Sequence, residues 1–160
     1  MILEVKFSPY GGKGSFAPID IKSSDMILTF KGELVTRDEI NRRINHGVEN
    51  LDDPLQVGDE MFIDLHEQSL FINHSCDPNS ALKRLVDLYA IKNIKKGKEV
   101  TFDYSASVGV DVEWEMNCNC GSNNCRKQIG NVSTIPKNQL MKYYNAGCLQ
   151  DFIKKQLDLV

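Results

Sequence analysis

Three cysteines fall within eight residues, Cys118-Asn-Cys120-Gly-Ser-Asn-Asn-Cys125, and the residues between them are Asn, Ser and Gly. Apolar burial does not account for this cluster, because nothing apolar lies inside it. Three reduced thiols in a polar loop is the plain alternative. Convergence on a metal explains the spacing better. Gly121 lets the backbone fold back so that the sulfurs face one point, and a structural zinc site takes four soft donors in a tetrahedron. The cluster supplies three, so a fourth must come from elsewhere; Cys76, Cys148 and His74 are the candidates. A disulfide framework would be even in number and spread along the chain, whereas these five cysteines are odd and bunched.

The rest of the chain reads as one domain of 160 residues, with 41% apolar and 26% charged side chains, long enough to bury a core. A formal charge of -3 argues against a sequence-independent nucleic-acid binder and suits a basic partner. No apolar run reaches bilayer length. Met1 to Phe7 is too short and too alternating for a secretory signal. The expectation is a soluble protein with no membrane partner.

Local patterns give many short strands and a helical end. Residues 2–7 alternate as a half-buried strand, and a Gly-rich stretch follows over 9–14. Met26 to Phe30 reads as a strand. Thr36 and Glu39 form a capping-box pattern that predicts a helix over about 37–46. Residues 47–60 read as a loop, and Met61 to Leu65 is a short apolar run. Leu85 to Ile94 and Glu99 to Tyr104 read as strands joined at Lys96-Gly97. From Pro136 onward the apolar period becomes helical, with a break near Gly147. The fold class expected is mostly β with short helices, an α+β chain.

Several segments together carry a family resemblance. Asn73-His-Ser-Cys-Asp-Pro-Asn79 resembles the signature of SET-domain lysine methyltransferases letter for letter. Thr101-Phe-Asp-Tyr104, preceded by Lys96-Gly-Lys-Glu-Val100, resembles their second signature. Cys118-x-Cys120-x4-Cys125-Arg126 is similar to their zinc-binding post-SET segment. Gly12-Lys13-Gly14 with Phe16-Ala17, and Lys31-Gly32-Glu33, resemble shorter family motifs. Order and spacing agree from about residue 5 to 126.

The resemblance implies a SET domain over 1–110, in which the two signature segments cross as a pseudoknot. It also implies a post-SET zinc segment over 111–130; the helical period beyond the match leaves 131–160 as a tail expected to pack on the core. The resemblance implies a protein-lysine N-methyltransferase that uses S-adenosylmethionine and Zn2+. The expected substrate is a protein carrying a target lysine, a histone or another Lys-rich protein; nucleic acid is not expected, and the chain would be a monomer or homodimer. By the same match Cys76 is the fourth zinc ligand beside Cys118, Cys120 and Cys125. Tyr104 is the catalytic tyrosine. Lys13, Gly14, Asn73, His74 and Tyr104 hold the cofactor. Phe102, Met61 and Trp114 line the lysine channel, and a Phe at position 102 implies room for higher methylation states. Asp103 fixes its loop, and Phe71 is core.

Two positions depart from the family pattern. Met61 stands where many relatives have Tyr, and Leu70 replaces a common Arg. They keep open an alternative, a SET interaction module that binds zinc and cofactor without catalysis. No cysteine-rich segment precedes the match. The compact chain resembles free-standing SET proteins of microbes, some of which live with eukaryotic hosts. That implies a place in the cytoplasm, in the nucleus, or in a host after secretion.

Overall fold

The computed structural model describes residues 2–50 and 53–159; positions 51 and 52 of the loop expected over 47–60, and the two end residues, lie outside the described residues. Among the described residues there are five small sheets and three short α-helices. Strands β1 (Glu4–Phe7) and β2 (Lys13–Phe16) make an antiparallel hairpin. β3 (Met26–Thr29), β8 (Ser80–Lys83) and β9 (Asp87–Ala90) form a sheet in the order β3-β9-β8. β4 (Gly32–Thr36), β5 (Leu55–Gln56) and β6 (Met61–Leu65) form another in the order β4-β6-β5. Between them lies the parallel pair β7 (Asn73–His74) and β10 (Thr101–Phe102). β11 (Glu115–Asn117) and β12 (Gln128–Gly130) close a hairpin around the cysteine cluster. The fold class is the one the sequence led us to expect.

The helix start was set locally. Thr36 caps α1 (Arg37–Asn45), its hydroxyl accepting from the Glu39 N–H at 3.3 Å, which satisfies one of the orphan amides of the first turn. Glu39 does not close the reciprocal half of the box; its carboxylate takes Arg42 and Arg43 instead. Ile40 faces inward onto Val35 and Phe62.

Two strands are shorter than their apolar runs. β9 is confined to 87–90 because the Val86 carbonyl turns to the Phe30 N–H, while the Ile91 N–H turns to Asn79 O and Ile94 bridges to Ile21. β10 stops at Phe102 because the Asp103 carboxylate accepts from the Ser105 N–H at 3.2 Å, capping a 3-10 turn over Tyr104–Ser107.

The main core gathers Ile27, Leu82, Leu88 and Phe102 from the strands, with Phe30 and Val100 beside them. Helices α2 (Lys137–Asn145) and α3 (Asp151–Gln156) lay Tyr143, Leu149 and Ile153 against Val132, Ile135 and Ala81 in a second cluster. Cys148 is buried there, its thiol turned to the Ala146 carbonyl. A third cluster packs Trp114 and Ile129 around Cys76 and Cys118.

The candidate active site

The pairing of β7 with β10 brings the two signature segments side by side, with Asn73 opposite Thr101 and His74 opposite Phe102. One backbone bond and two polar side chains extend this short ladder. Ser75 N–H donates to Phe102 O at 3.0 Å, and the Ser80 hydroxyl to Thr101 O at 2.8 Å. The Asn79 amide accepts from Thr101 N–H and donates to Glu99 O at 3.0 and 2.7 Å. It thus supplies the bonds a neighbouring strand would otherwise make.

Two hollows flank the crossing. One is an apolar cavity of about 100 Å³, walled by Ile40, Phe62, Ile72, Phe102, Val112 and Trp114. The other is an open, polar cleft of about 870 Å³, walled by Tyr10, Asn73, Asp77, Glu99, Asn119 and Ser122 among others. Tyr104 lines both. Its hydroxyl donates to Ile72 O at 2.9 Å, and its ring meets those of Phe102 and His74 at centroid distances of 4.9 and 5.4 Å.

On the cleft side Asn73 donates to the Glu99 carboxylate at 2.6 Å and to the Lys13 carbonyl at 3.0 Å. Glu99 also receives the Ser8 hydroxyl at 2.9 Å. Gly14 sits behind this group: a Cβ there would overlap the Glu99 carboxylate and come within 2.9 Å of Asn73 Nδ2. Lys13 and Gly14 therefore back the wall of the cleft without lining it, and the Lys13 ammonium lies over the Phe71 ring at 5.5 Å. Phe71 is half-buried rather than core.

On the cavity side Phe102 and Trp114 stand in the wall, and Met61 does not; its neighbour Phe62 does. Alternation along β6, fixed by its register with β4 and β5, turns Phe62 inward and Met61 away. Leu70 lines both hollows.

The cysteines converge. The Cys118 sulfur lies 3.8 Å from that of Cys76 and 3.6 Å from that of Cys125. Cys120 Sγ accepts from the Cys76 N–H at 3.4 Å. His74, Cys76, Cys118 and Cys120 each place a donor atom within 4.8 Å of the others, so this cluster could hold a metal ion. Gly121, at φ +70°, supplies the left-handed turn between Cys120 and Cys125. Cys148 lies outside it, in the tail cluster.

The His74 ring is spent inside the protein. Nδ1 accepts from the Tyr104 N–H at 3.2 Å, which assigns the proton to Nε2, and Nε2 faces the Cys76 sulfur at 3.2 Å. Burial, aided by the Arg126 charge, brings its pKa down to about 3, so the ring is neutral. Burial pulls the Cys76 and Cys118 thiols up. It pulls Cys120 up too, but the Cys76 N–H and the Ser122 hydroxyl outweigh it and bring that thiol down to about 6.

A buried network joins the cluster to the turn that carries Tyr104. Arg126 donates from its backbone and Nε to Cys76 Sγ at 3.3 and 3.4 Å, and from Nη2 to Asp103 at 2.5 Å. Asp103 is 2% exposed. Burial raises its pKa against the opposing pull of Arg126. It holds the loop, as expected of it. Sequence reasoning missed Glu99 and Tyr10, which come to the site only through strand pairing and turn geometry.

This arrangement defines a β-rich domain whose open cleft and apolar cavity share Tyr104, with Leu70 and Asp53, beside a cysteine cluster. The SET domain family model matches residues 12–105, and the chain belongs to the SET-domain family. It is 31% identical over 166 residues to a histone-lysine N-methyltransferase, H3 lysine-9 specific, of Fusarium mangiferae, covering 78% of this chain and 47% of that protein. It is 32% identical over 147 residues to histone-lysine N-methyltransferase Su(var)3-9 of Drosophila melanogaster, covering 74% and 23%. Among solved structures it is similar to a chain of a humanized mutant of the Chaetomium thermophilum Polycomb Repressive Complex 2. That match has a TM-score of 0.58 and 24% identity, and covers 66% of this chain and 15% of that one. The chain thus spans less than half the length of these relatives.

Proposed function

We propose that the chain is an S-adenosylmethionine-dependent protein-lysine N-methyltransferase acting on a histone or another Lys-rich protein. The observation that carries this reading is the position of Tyr104, the phenol at which the apolar channel and the polar cleft adjoin. A transfer between two molecules that approach from opposite sides needs such a junction.

The residues fit both groups the reading requires. A tetrahedral site with metal–sulfur bonds of about 2.3 Å has sulfur–sulfur edges of about 3.8 Å, and the observed separations are 3.8 and 3.6 Å. Cys76, Cys118, Cys120 and Cys125 would hold Zn2+. His74 Nε2 bears the proton and donates to Cys76, so the imidazole supports a ligand rather than being one. The cleft would hold the cofactor through Asn73 and Glu99, backed by Lys13 and Gly14, with His74 also in its lining. Bound there, the cofactor supplies an electrophilic methyl group on a sulfonium.

The protein's own work is positioning and desolvation. A lysine side chain threading between Phe62, Phe102 and Trp114 loses water, which lowers its pKa from about 10.4 toward the neutral amine that can attack. Tyr104 orients that amine at the junction, and the amine's proton leaves through the open cleft. Phe102 places no hydroxyl at the channel end, which leaves room for higher methylation states. Met61 faces away from the channel, so its departure from the family tyrosine gives no ground for a non-catalytic module.

The surface charge of -3 suits a basic substrate, and a histone substrate would put the protein in a nucleus. No helix of the described residues is long and apolar enough to cross a membrane. Incubation of zinc-loaded protein with labelled cofactor and mixed histones tests the reading, with Tyr104→Phe as control. Label on a histone or another Lys-rich protein, lost in the variant, is expected. A sample that binds cofactor yet labels no protein overturns it.

A further inference from the structure

Helix α2 belongs to neither signature segment, yet two of its side chains reach the centre of the molecule. Tyr143 is 5% exposed, and its hydroxyl lies 3.2 Å from Asp103 Oδ2. Gln139, one turn earlier, donates from Nε2 to the Tyr143 oxygen at 2.6 Å and to the Cys76 carbonyl at 3.1 Å. The direction of this chain is fixed. The amide donates both hydrogens, so the phenol accepts from Gln139 and must give its own proton to Asp103.

Asp103 precedes Tyr104, and Cys76 follows His74 by two residues. Oδ1 of Asp103 is taken by Arg126 and by the Ser105 N–H, while Oδ2 takes the Tyr143 hydroxyl. A buried carboxylate keeps its orientation only while its lone pairs are met. The turn that aims Tyr104 at Ile72 is capped by this same carboxylate. Arg126 in turn divides its donors between Asp103 and the Cys76 sulfur.

We propose that Tyr143 and Gln139 are positioning residues, through which helix α2 sets both the aim of Tyr104 and the geometry of the clustered cysteines. Packing alone does not need them. A Phe at 143 would fill the same apolar cluster with Val132, Leu149 and Ile153, so what the hydroxyl adds is the bond to Asp103. The kinetic part rests on the methyltransferase reading; the metal part does not.

The test compares full-length wild type with Tyr143→Phe and Gln139→Ala. Three quantities are read: zinc affinity in competition with a chromogenic chelator, kcat and KM on a methyl-accepting histone peptide, and the melting temperature. Zinc affinity is expected to fall about tenfold in each variant, as for other residues that orient metal ligands. The same variants should lose about tenfold or more in kcat with KM within about twofold, the signature of an interaction felt in the transition state. A lower melting temperature with unchanged zinc affinity and unchanged kcat would mean a purely structural role and overturns the proposal. So does no change in any of the three. If wild type shows no turnover, the methyltransferase reading fails and zinc affinity alone decides. Should Tyr143→Phe fail to fold, Gln139→Ala, at a half-buried helix position, carries the test.

Discussion

Tyr104 donates its hydroxyl to the carbonyl of Ile72 across 2.9 Å, and so ties the end of the second signature segment to the start of the first. The bond holds the phenol in the wall where channel and cleft meet. Tyr104→Phe keeps the ring contacts with Phe102 and His74 and removes the hydroxyl, the donor to Ile72 and the acceptor alike. We expect kcat to drop about a hundredfold or more, as for other single donors lost from a reacting centre. Cofactor affinity by calorimetry should stay within about threefold.

Removing the metal should act locally before it acts globally. The segment from Cys118 to Cys125 has no apolar side chain of its own apart from its sulfurs, so a bound ion would supply its order; zinc-finger peptides gain about 10–16 kcal/mol from such a site. Chelation should raise amide hydrogen exchange across residues 117–127, while the β3-β9-β8 sheet, buried around Ile27 and Leu88, stays protected. One zinc per chain, lost in Cys118→Ser, is the matching stoichiometry.

What the sequence made legible was local. The Thr36 cap, the turn at Gly121 and the nearness of the bunched thiols each depend on residues a few positions apart, and each is found, the capping box in its Thr36 half alone. The fold class followed from many short runs of period two and a tail of helical period. What escaped depended on pairing register or on distant contact. Whether Met61 or Phe62 faces the channel is decided by which residue of β4 lies opposite, and Thr36 opposite Met61 is not written in either segment alone. The inward turn of the His74 ring follows from the Tyr104 amide, thirty residues on. The reach of Tyr143 to Asp103 spans forty positions, and no periodicity signals it.

A carboxylate pair near the helix α1 end makes stability depend on pH in an unusual direction. Burial, and then hydrogen bonding to Asp64, raise Glu49 from 4.5 to about 7. Between those values the folded chain holds a proton that the unfolded chain has released. Stability therefore falls as pH rises through this window, since the unfolded state binds fewer protons there. The contribution is intact below about 4.5 and lost above about 7. Glu49→Gln should flatten this part of the melting-temperature profile, and should raise the melting temperature at pH 8 relative to wild type. A profile unchanged between the two proteins would show that Glu49 titrates normally.

Gly14 separates wall support from wall lining. A methyl group there meets the Glu99 carboxylate and the Asn73 amide, which are far ends of flexible side chains rather than backbone. The collision is relieved by moving those two groups. β2 itself keeps its pairing with β1, because the backbone at Gly14 has no positive φ to lose. The displaced groups are the ones that face the cleft, so the cost falls more on the cofactor than on the fold. Gly14→Ala is expected to weaken S-adenosylhomocysteine binding about tenfold, on the order of one lost charge-assisted hydrogen bond. Gly14 is buried, so some stability is lost, but the groups that yield are side-chain ends facing the open cleft, and the melting temperature should fall by no more than about 5 °C. Glu99→Gln makes the complementary change, since it keeps the shape and removes the charge that accepts from both Ser8 and Asn73. If Gly14→Ala binds as wild type does while Glu99→Gln does not, the glycine matters only for strand packing, and the cleft wall is set by the carboxylate alone.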